Sequence, residues 1–141
     1  MNRKWLSIAA LLIAAAVLLN LSGCARSQQL ESITVTPQGT SITLTGQGQV
    51  LGTQFTALGT YIHPPETKDV TSKAVWTTDS PSIITLDPNQ PGLVNTTGEG
   101  CGTNLGVTAS IYSDPSSPSS GSVVTGSTVM SVTFSGSNTC P

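Results

Sequence analysis

Residues 107–111 read VTASI and residues 130–134 read MSVTF, so apolar and polar side chains alternate in both stretches. Alternation with a period of two is typical of a β-strand with one face on a core. If the two strands pair antiparallel with both apolar sets on one face, odd positions must oppose even ones. One such register opposes Val107 with Phe134, Ala109 with Val132 and Ile111 with Met130, although shifts by two residues satisfy the same rule. We expect this register because it also opposes the two cysteines of this region, Cys101 and Cys140.

The first residues of the chain have the pattern of an export signal. Asn2-Arg3-Lys4 is a positively charged start, and an apolar run interrupted only by Ser7 extends from Trp5 to Leu19. A permanent transmembrane helix is the alternative, but such a helix needs about 20 apolar residues and this run ends before Asn20. The pattern therefore favours a cleaved signal peptide.

The stretch Leu21-Ser22-Gly23-Cys24 resembles the lipobox of bacterial lipoproteins. In that family the cysteine carries a covalent diacylglyceryl lipid, and the chain is cut just before it. The resemblance implies a signal peptide over 1–23, a lipidated tether over 24–31 and a folded domain over 32–141. Since Ala25 rather than aspartate follows the cysteine, it also implies the outer membrane in a bacterium with two membranes, and otherwise the outer face of the cell membrane.

Length and charge limit the partners of the mature chain. Cleavage before Cys24 leaves 118 residues, which suits one domain. Three basic residues, Arg26, Lys68 and Lys73, then face seven acidic ones, for a formal net charge of −4. This balance argues against nucleic acid as a partner. The partners that we expect are the membrane, through the lipid anchor, and an envelope protein or glycan.

The cysteine count predicts one disulfide bond. With Cys24 assigned to lipid, Cys101 and Cys140 form an even pair in a compartment where disulfides form. Two separate thiols are the alternative, and they are uncommon in exported proteins. A bridge closing about 40 residues stabilises a fold by about 4 kcal/mol in the loop-entropy treatment.

The whole domain has the pattern of an all-β protein. No stretch of the mature chain sustains a 3.6-residue period, and turn signals recur about every ten residues between alternating runs. This pattern predicts an antiparallel β-sandwich of about seven strands. We expect the following side chains to face its core: Phe55, Tyr61, Trp76, Val107, Ala109, Ile111, Met130, Val132 and Phe134.

The order of short motifs between Leu30 and Phe134 is similar to that of a bacterial immunoglobulin-like domain of group 2. The resemblance rests on Ser32-Ile33-Thr34-Val35-Thr36-Pro37, Phe55-Thr56-Ala57, Gly59-Thr60-Tyr61, Asp69-Val70-Thr71, Val75-Trp76-Thr77-Thr78, Pro81-Ser82-Ile83-Ile84-Thr85-Leu86, Gly92-Leu93-Val94, Gly100 and Val107-Thr108-Ala109. It implies an immunoglobulin-like sandwich with Trp76 in the core, Gly92 and Gly100 at turns, and a role in display without catalysis. The turn Asn89-Gln90-Pro91, Cys101 and the long Ser/Pro loop depart from the family pattern.

Residues that carry chemistry are few and scattered. His63 is the only histidine, and no Gly-x-Ser-x-Gly elbow accompanies it, so a hydrolase using His63 is the third of our functional hypotheses. The acids lie in turns, where hydrogen bonding to the backbone is their expected role. A calcium site using Asp87 and Asn89 would lack the usual Asp-rich loop. We therefore expect no catalytic residue, no metal and no cofactor other than the lipid on Cys24.

One loop is the candidate ligand site. Tyr112 ends its strand and is the only aromatic residue that we expect to be exposed, and Asp114 follows it in the Ser/Pro loop Ser113 to Ser122. The preferred hypothesis is a lipid-anchored, non-catalytic module with a structural or protein-interaction role in the cell envelope. The alternative is a carbohydrate-binding or adhesion module that uses this loop with Tyr112 and Asp114.

Overall fold

The computed structural model of the chain describes residues 28–112, 122–135 and 140, and in these residues the regular structure is entirely β. They contain ten strands, more than the seven or so that the sequence pattern predicts, because several expected strands are interrupted. The strands are β1 (Gln29–Thr36), β2 (Thr40–Leu44), β3 (Gly52–Gln54), β4 (Thr56–Ile62), β5 (Glu66–Asp69), β6 (Val75–Thr78), β7 (Ile84–Leu86), β8 (Leu93–Thr96), β9 (Gly102–Tyr112) and β10 (Val123–Phe134).

The strands form a β-sandwich, as the alternation predicts. One side consists of two antiparallel three-stranded sheets, ordered β1-β4-β5 and β3-β8-β7. Only Phe55 separates β3 from β4, and its backbone N–H donates to the Gly92 carbonyl oxygen at 2.8 Å, so these sheets continue one another. The other side is a four-stranded sheet, β2-β10-β9-β6.

One ladder of the four-stranded sheet departs from the antiparallel expectation. After β1 the chain passes through Pro37 to Gly39 and crosses from the first side of the sandwich to the second. There β2 pairs in parallel with β10, with Thr40 opposite Met130 and Leu44 opposite Phe134. A parallel pair cannot be joined by a tight hairpin, and here the two strands are far apart in sequence.

The core lies between the two sides. Phe55, Val107, Ala109, Met130 and Val132 are buried, as expected from the alternation. Four further expected core residues are half-buried and pack against this cluster: Tyr61, Trp76, Ile111 and Phe134. The rest of the buried apolar set comes mainly from β1, β2, β7 and β8, and comprises Leu30, Ile33, Val35, Ile42, Leu44, Ala57, Val70, Ile84, Val94 and Leu105.

The register expected for the last hairpin is wrong, although both apolar sets do face the core. Val107 lies opposite Thr128 and Ala109 opposite Gly126, a shift of six residues from the expected pairing. Both strands extend beyond their alternating stretches, so that Tyr112 pairs with Val123. A register shift between Met130 and Val132 then ends the regular ladder.

The predicted disulfide is present, but its two cysteines are not paired residues of the last hairpin. Cys101 and Cys140 are bonded, with their Cα atoms 5.6 Å apart, and both lie outside the strands. The bond therefore does not select the hairpin register, because the ladder ends before it reaches either cysteine.

The first strand begins earlier than the pattern predicts. β1 starts at Gln29 rather than Ser32, because Leu30 is buried opposite Tyr61. The pairing shifts between Leu30 and Ser32, where an extra residue, Glu31, is inserted. Such a bulge breaks the two-residue period, so Leu30 does not follow the alternation of Ile33 and Val35.

Gly126 allows the two sides of the sandwich to approach at β1 and β10. A Cβ at this position would overlap the carbonyl oxygen of Ile33 and would lie 2.8 Å from both its carbonyl carbon and its Cγ2. Two of these three atoms belong to the backbone, so a rotamer change cannot relieve the contact. Gly126 is therefore required by space rather than by a positive φ.

We expect Gly126→Ala to lower the free energy of unfolding by about 1 to 3 kcal/mol, the usual cost of overpacking. Urea unfolding followed by Trp76 fluorescence measures this. Gly46→Ala is the control, since a Cβ there meets nothing within 4 Å, and its stability should equal or slightly exceed that of the wild type. A Gly126→Ala protein as stable as the control would contradict the close approach.

We expect the double variant Cys101→Ser, Cys140→Ser to be about 4 kcal/mol less stable than the oxidised wild type, from the 39-residue separation of the bonded cysteines. The same urea experiment with reductant supplies the control, because reduced wild type should match the variant. Mass measurement after alkylation without reductant should show both thiols blocked, and two free thiols would contradict the bond.

Candidate functional site

Several strand ends meet at the end of the sandwich where the described chain begins, which we call the Gln28 end. Ile33 lies beside Gly126, the Thr128 hydroxyl donates to the Pro37 carbonyl oxygen at 3.2 Å, and Thr40 pairs with Met130. β1 and β10 therefore run in the same direction and start at the same end.

The other elements of the Gln28 end follow from strand pairing. Gln29 lies opposite Ile62, so the turn of residues 63–65 is there. Tyr112 lies opposite Val123, the first residue of β10.

A polar network holds Gln28 against β5. The Gln28 side-chain amide donates from Nε2 to Glu66 Oε2 at 3.0 Å, and its Oε1 accepts from Lys68 Nζ at 2.9 Å. Lys68 Nζ is also 2.9 Å from Glu66 Oε2 and lies 5.5 Å from the centre of the Tyr61 ring. Exposed ion pairs add little to stability, so the main effect of the network is to hold Gln28 against β5.

The electrostatics of the network favour the ionised carboxylate. The hydrogen bond from Lys68 is the main cause that lowers the pKa of Glu66, and the hydrogen bond from Gln28 adds to it. Slight desolvation opposes both effects. The charged network is therefore the form present at neutral pH.

Three exposed apolar side chains lie together at the Gln28 end, on the outer face of the four-stranded sheet. Tyr112 and Val123 are directly opposed and are 47% and 53% exposed. Val75 is 64% exposed and pairs with Ser110, two residues before Tyr112 on the same face. Diagonal neighbours across strands are within reach of an aromatic side chain, so Val75, Tyr112 and Val123 form one surface, which we call the outer patch.

Of the three residues of the outer patch, only Tyr112 is predicted to be exposed from the sequence pattern, and the two valines are not. Val75 alternates with the core residue Trp76, which is the signal that places it outside. Val123 follows the serine-rich loop, and the only signal for a strand there is the short run Val123-Val124-Thr125.

The structure places His63 at the surface. His63 is exposed in the turn between β4 and β5.

Asp87 Oδ1 accepts the backbone N–H groups of Asn89 at 2.8 Å and Gln90 at 3.1 Å, so this carboxylate closes a turn rather than facing Asn89 across a cation site. In residues 28–112, 122–135 and 140, no three His, Cys, Asp or Glu residues are grouped as metal ligands would be. Cys24 and Asp114 lie outside the described residues.

A shallow groove lies at the side of the sandwich. Trp76 of β6 and the preceding residue Ala74 line it, together with Leu86 at the end of β7 and Pro88 and Pro91 of the turn that follows. The Trp76 indole N–H donates to the Thr71 carbonyl oxygen at 2.9 Å, so the fold already uses its only hydrogen-bond donor.

Comparisons with known proteins do not supply a function. No family model matches the chain, and a search of curated proteins finds no similar sequence. Among the described residues, no helix is long and apolar enough to cross a membrane.

We expect the pKa of Glu66 to lie below the ordinary glutamate value of 4.5 and to rise in Lys68→Gln, because that variant removes the main hydrogen bond to the carboxylate. Carbon NMR of the Glu66 carboxyl measures this. Because the folded pKa is depressed, the network's stabilising contribution is present above about pH 4.5 and is lost as the pH falls through the folded pKa.

The stability difference between wild type and Lys68→Gln should therefore narrow on acidification. Lys73→Gln removes a different lysine and should leave the pKa of Glu66 unchanged. The same pKa in wild type and Lys68→Gln would show that the network does not form in solution.

Proposed function

We propose that the protein is a bacterial lipoprotein that displays one immunoglobulin-like module of group 2 at a membrane surface, in a structural or protein-interaction role. The observation that carries this proposal is the short distance between the lipobox and the domain. Only Ala25 to Ser27 separate Cys24 from Gln28, and Gln28 is bonded to β5.

The length of this connection keeps the module near its membrane. Four residue steps from Cys24 to Gln28 span at most about 14 Å when extended. With a domain that begins at Ser32, as the sequence pattern predicts, the eight residue steps from Cys24 would span about 28 Å. The earlier start of β1 thus strengthens the case for a partner at the membrane surface.

The packing around Trp76 supports the immunoglobulin-like assignment. Trp76 packs against the core from β6, as the resemblance implies. Gly92 has a φ of +84°, and a Cβ there would overlap the carbonyl oxygen of Phe55, which explains a glycine at this turn. Gly100 has no positive φ, and a Cβ there would lie 3.3 Å from Cγ1 of Ile83, so packing rather than backbone conformation restricts this position.

The contacts of the acidic side chains support display rather than catalysis. Hydrogen bonds from the Thr71 side chain and backbone lower the pKa of Asp69. Asp79 accepts the Ser80 hydroxyl at 2.7 Å and the Gly106 N–H at 2.8 Å, and these two bonds lower its pKa. Both carboxylates are therefore ionised and engaged in holding turns and strand ends, which is the role expected from the sequence.

The exposure of Tyr112 favours a second candidate function, the carbohydrate-binding or adhesion module. An exposed aromatic ring can stack on a sugar, and this one adjoins the Ser/Pro loop. The loop itself, with Asp114, lies outside the described residues. Glycan pull-down with wild type and a loop-deleted form tests this candidate, which requires binding that is lost with the loop.

We expect Cys24→Ser to move the protein from the membrane fraction to the soluble fraction and to abolish incorporation of labelled palmitate. The matched control is Cys101→Ser, Cys140→Ser, which keeps the third cysteine and should remain labelled and membrane-bound. A Cys24→Ser protein that stays in the membrane with the mass of the uncleaved chain would show that the leader is the anchor and would overturn the proposal.

A further inference from the structure

We infer that the outer patch of Val75, Tyr112 and Val123 rests on the surface of the bilayer that carries the Cys24 lipid. The membrane thus contacts the folded module as well as its anchor. This inference rests on the proposed lipid anchor and adds a docked orientation to it.

The position of the patch relative to the anchor is the first argument. Gln28 and Val123 are both at the Gln28 end, because β1 and β10 run in the same direction. Gln28 precedes a strand of the first side, whereas the patch is on the outer face of the second, and packed sheets are about 10 Å apart. The extended reach of about 14 Å from Gln28 to Cys24 is enough to cover that spacing. The anchor can therefore enter the bilayer while the patch touches it.

The chemistry of the patch is the second argument. Tyrosine is enriched at membrane interfaces, where its ring meets acyl chains and its hydroxyl stays in the polar layer. The two valines that flank Tyr112 in space provide apolar contact without charge. A contiguous exposed apolar surface of this kind is typical of an interaction site.

The charged side chains at this end do not favour an anionic bilayer surface. Glu66 is paired with Lys68, and the other described charges nearby are Glu31 on β1, Asp69 on β5 and Lys73, two residues before Val75. Three acids and two bases give these five side chains a net charge of −1. Asp79 binds Gly106, six residues from Tyr112 or about 20 Å along β9, so its charge is distant from the patch. The contact should therefore depend little on anionic lipid or on salt.

The test uses the full lipidated protein in phosphatidylcholine vesicles whose acyl chains carry bromine, a quencher of tryptophan fluorescence. Tyr112→Trp reports on the patch. Val129→Trp is the matched control, since Val129 is 43% exposed on the same outer face but pairs with Gly106, about 20 Å away. Emission from Trp76, present in both variants, is subtracted using the wild type.

We expect strong quenching in Tyr112→Trp and little in Val129→Trp. The quenching in Tyr112→Trp should be the same at an ionic strength of about 1 M, where charges are screened within about 3 Å. Adding Val75→Thr and Val123→Thr to the reporter should shift the equilibrium about tenfold toward the undocked form, because two half-exposed valines lose their apolar contact. Equal quenching at the two reporter positions would overturn the inference.

Flotation of the vesicles separates this inference from the proposed function. A protein that fails to float with the vesicles overturns the anchor and the docking together. A protein that floats but shows no difference between the reporters overturns the docking alone.

Two further outcomes would assign the contact elsewhere. One variant of the Tyr112→Trp reporter replaces residues 113–121 with a Gly/Ser segment of equal length, and another carries Val75→Thr and Val123→Thr. If the first abolishes quenching and the second preserves it, the loop makes the contact and the inference is wrong. Sedimentation of the soluble Cys24→Ser protein tests for a dimer. If this protein is a dimer and adding Val75→Thr and Val123→Thr makes it a monomer, the patch binds a second copy of the chain and the inference is also wrong.

Discussion

The close approach of the Ile33 backbone to Gly126 is the contact on which the geometry of this domain depends. It joins the first strand of one side of the sandwich to the last strand of the other, with no side chain between them at that point. The chain then crosses at Pro37 and Gly39 and continues as β2, which pairs in parallel with β10. As a result β1 and β10 begin at the same end. Gln28, which is four residues after Cys24, and the outer patch therefore lie at the same end of the sandwich.

The alternating stretches predict much of the fold because they report which face of a strand meets the core. Val107, Ala109, Met130 and Val132 are buried as their period indicates. Register is a different property, since any shift by two residues leaves the same faces buried. The pairing of Val107 with Thr128 depends on strand extensions at Gly102 and Val123, where the apolar period is weak or absent. The disulfide was the wrong guide to register because both cysteines lie beyond the ladder.

The candidate site was less accessible to sequence reasoning, because its parts are joined only by tertiary structure. Tyr112 could be identified from its place at a strand end. Gln28 could not, since it lies in a polar stretch and its partners, Glu66 and Lys68, are about 40 residues away. The bulge at Glu31 interrupts the apolar alternation at the start of β1. The sequence pattern therefore predicts neither the first residues of this strand nor the contacts of Gln28 that precede it. Val75 and Val123 acquire a common role only when β6, β9 and β10 are placed side by side.

The disulfide also determines how the domain would respond to a pulling force. Cys101 precedes β9 and is bonded to Cys140 at the end opposite Gln28. Tension between the proposed anchor at Cys24 and Cys140 would therefore act lengthwise along the strands, and the covalent bond would transmit part of that load to the start of β9. In that direction the ladder hydrogen bonds are sheared together rather than opened one after another. With the anchor proposed at Cys24, the domain is therefore oriented to resist extension along its strands.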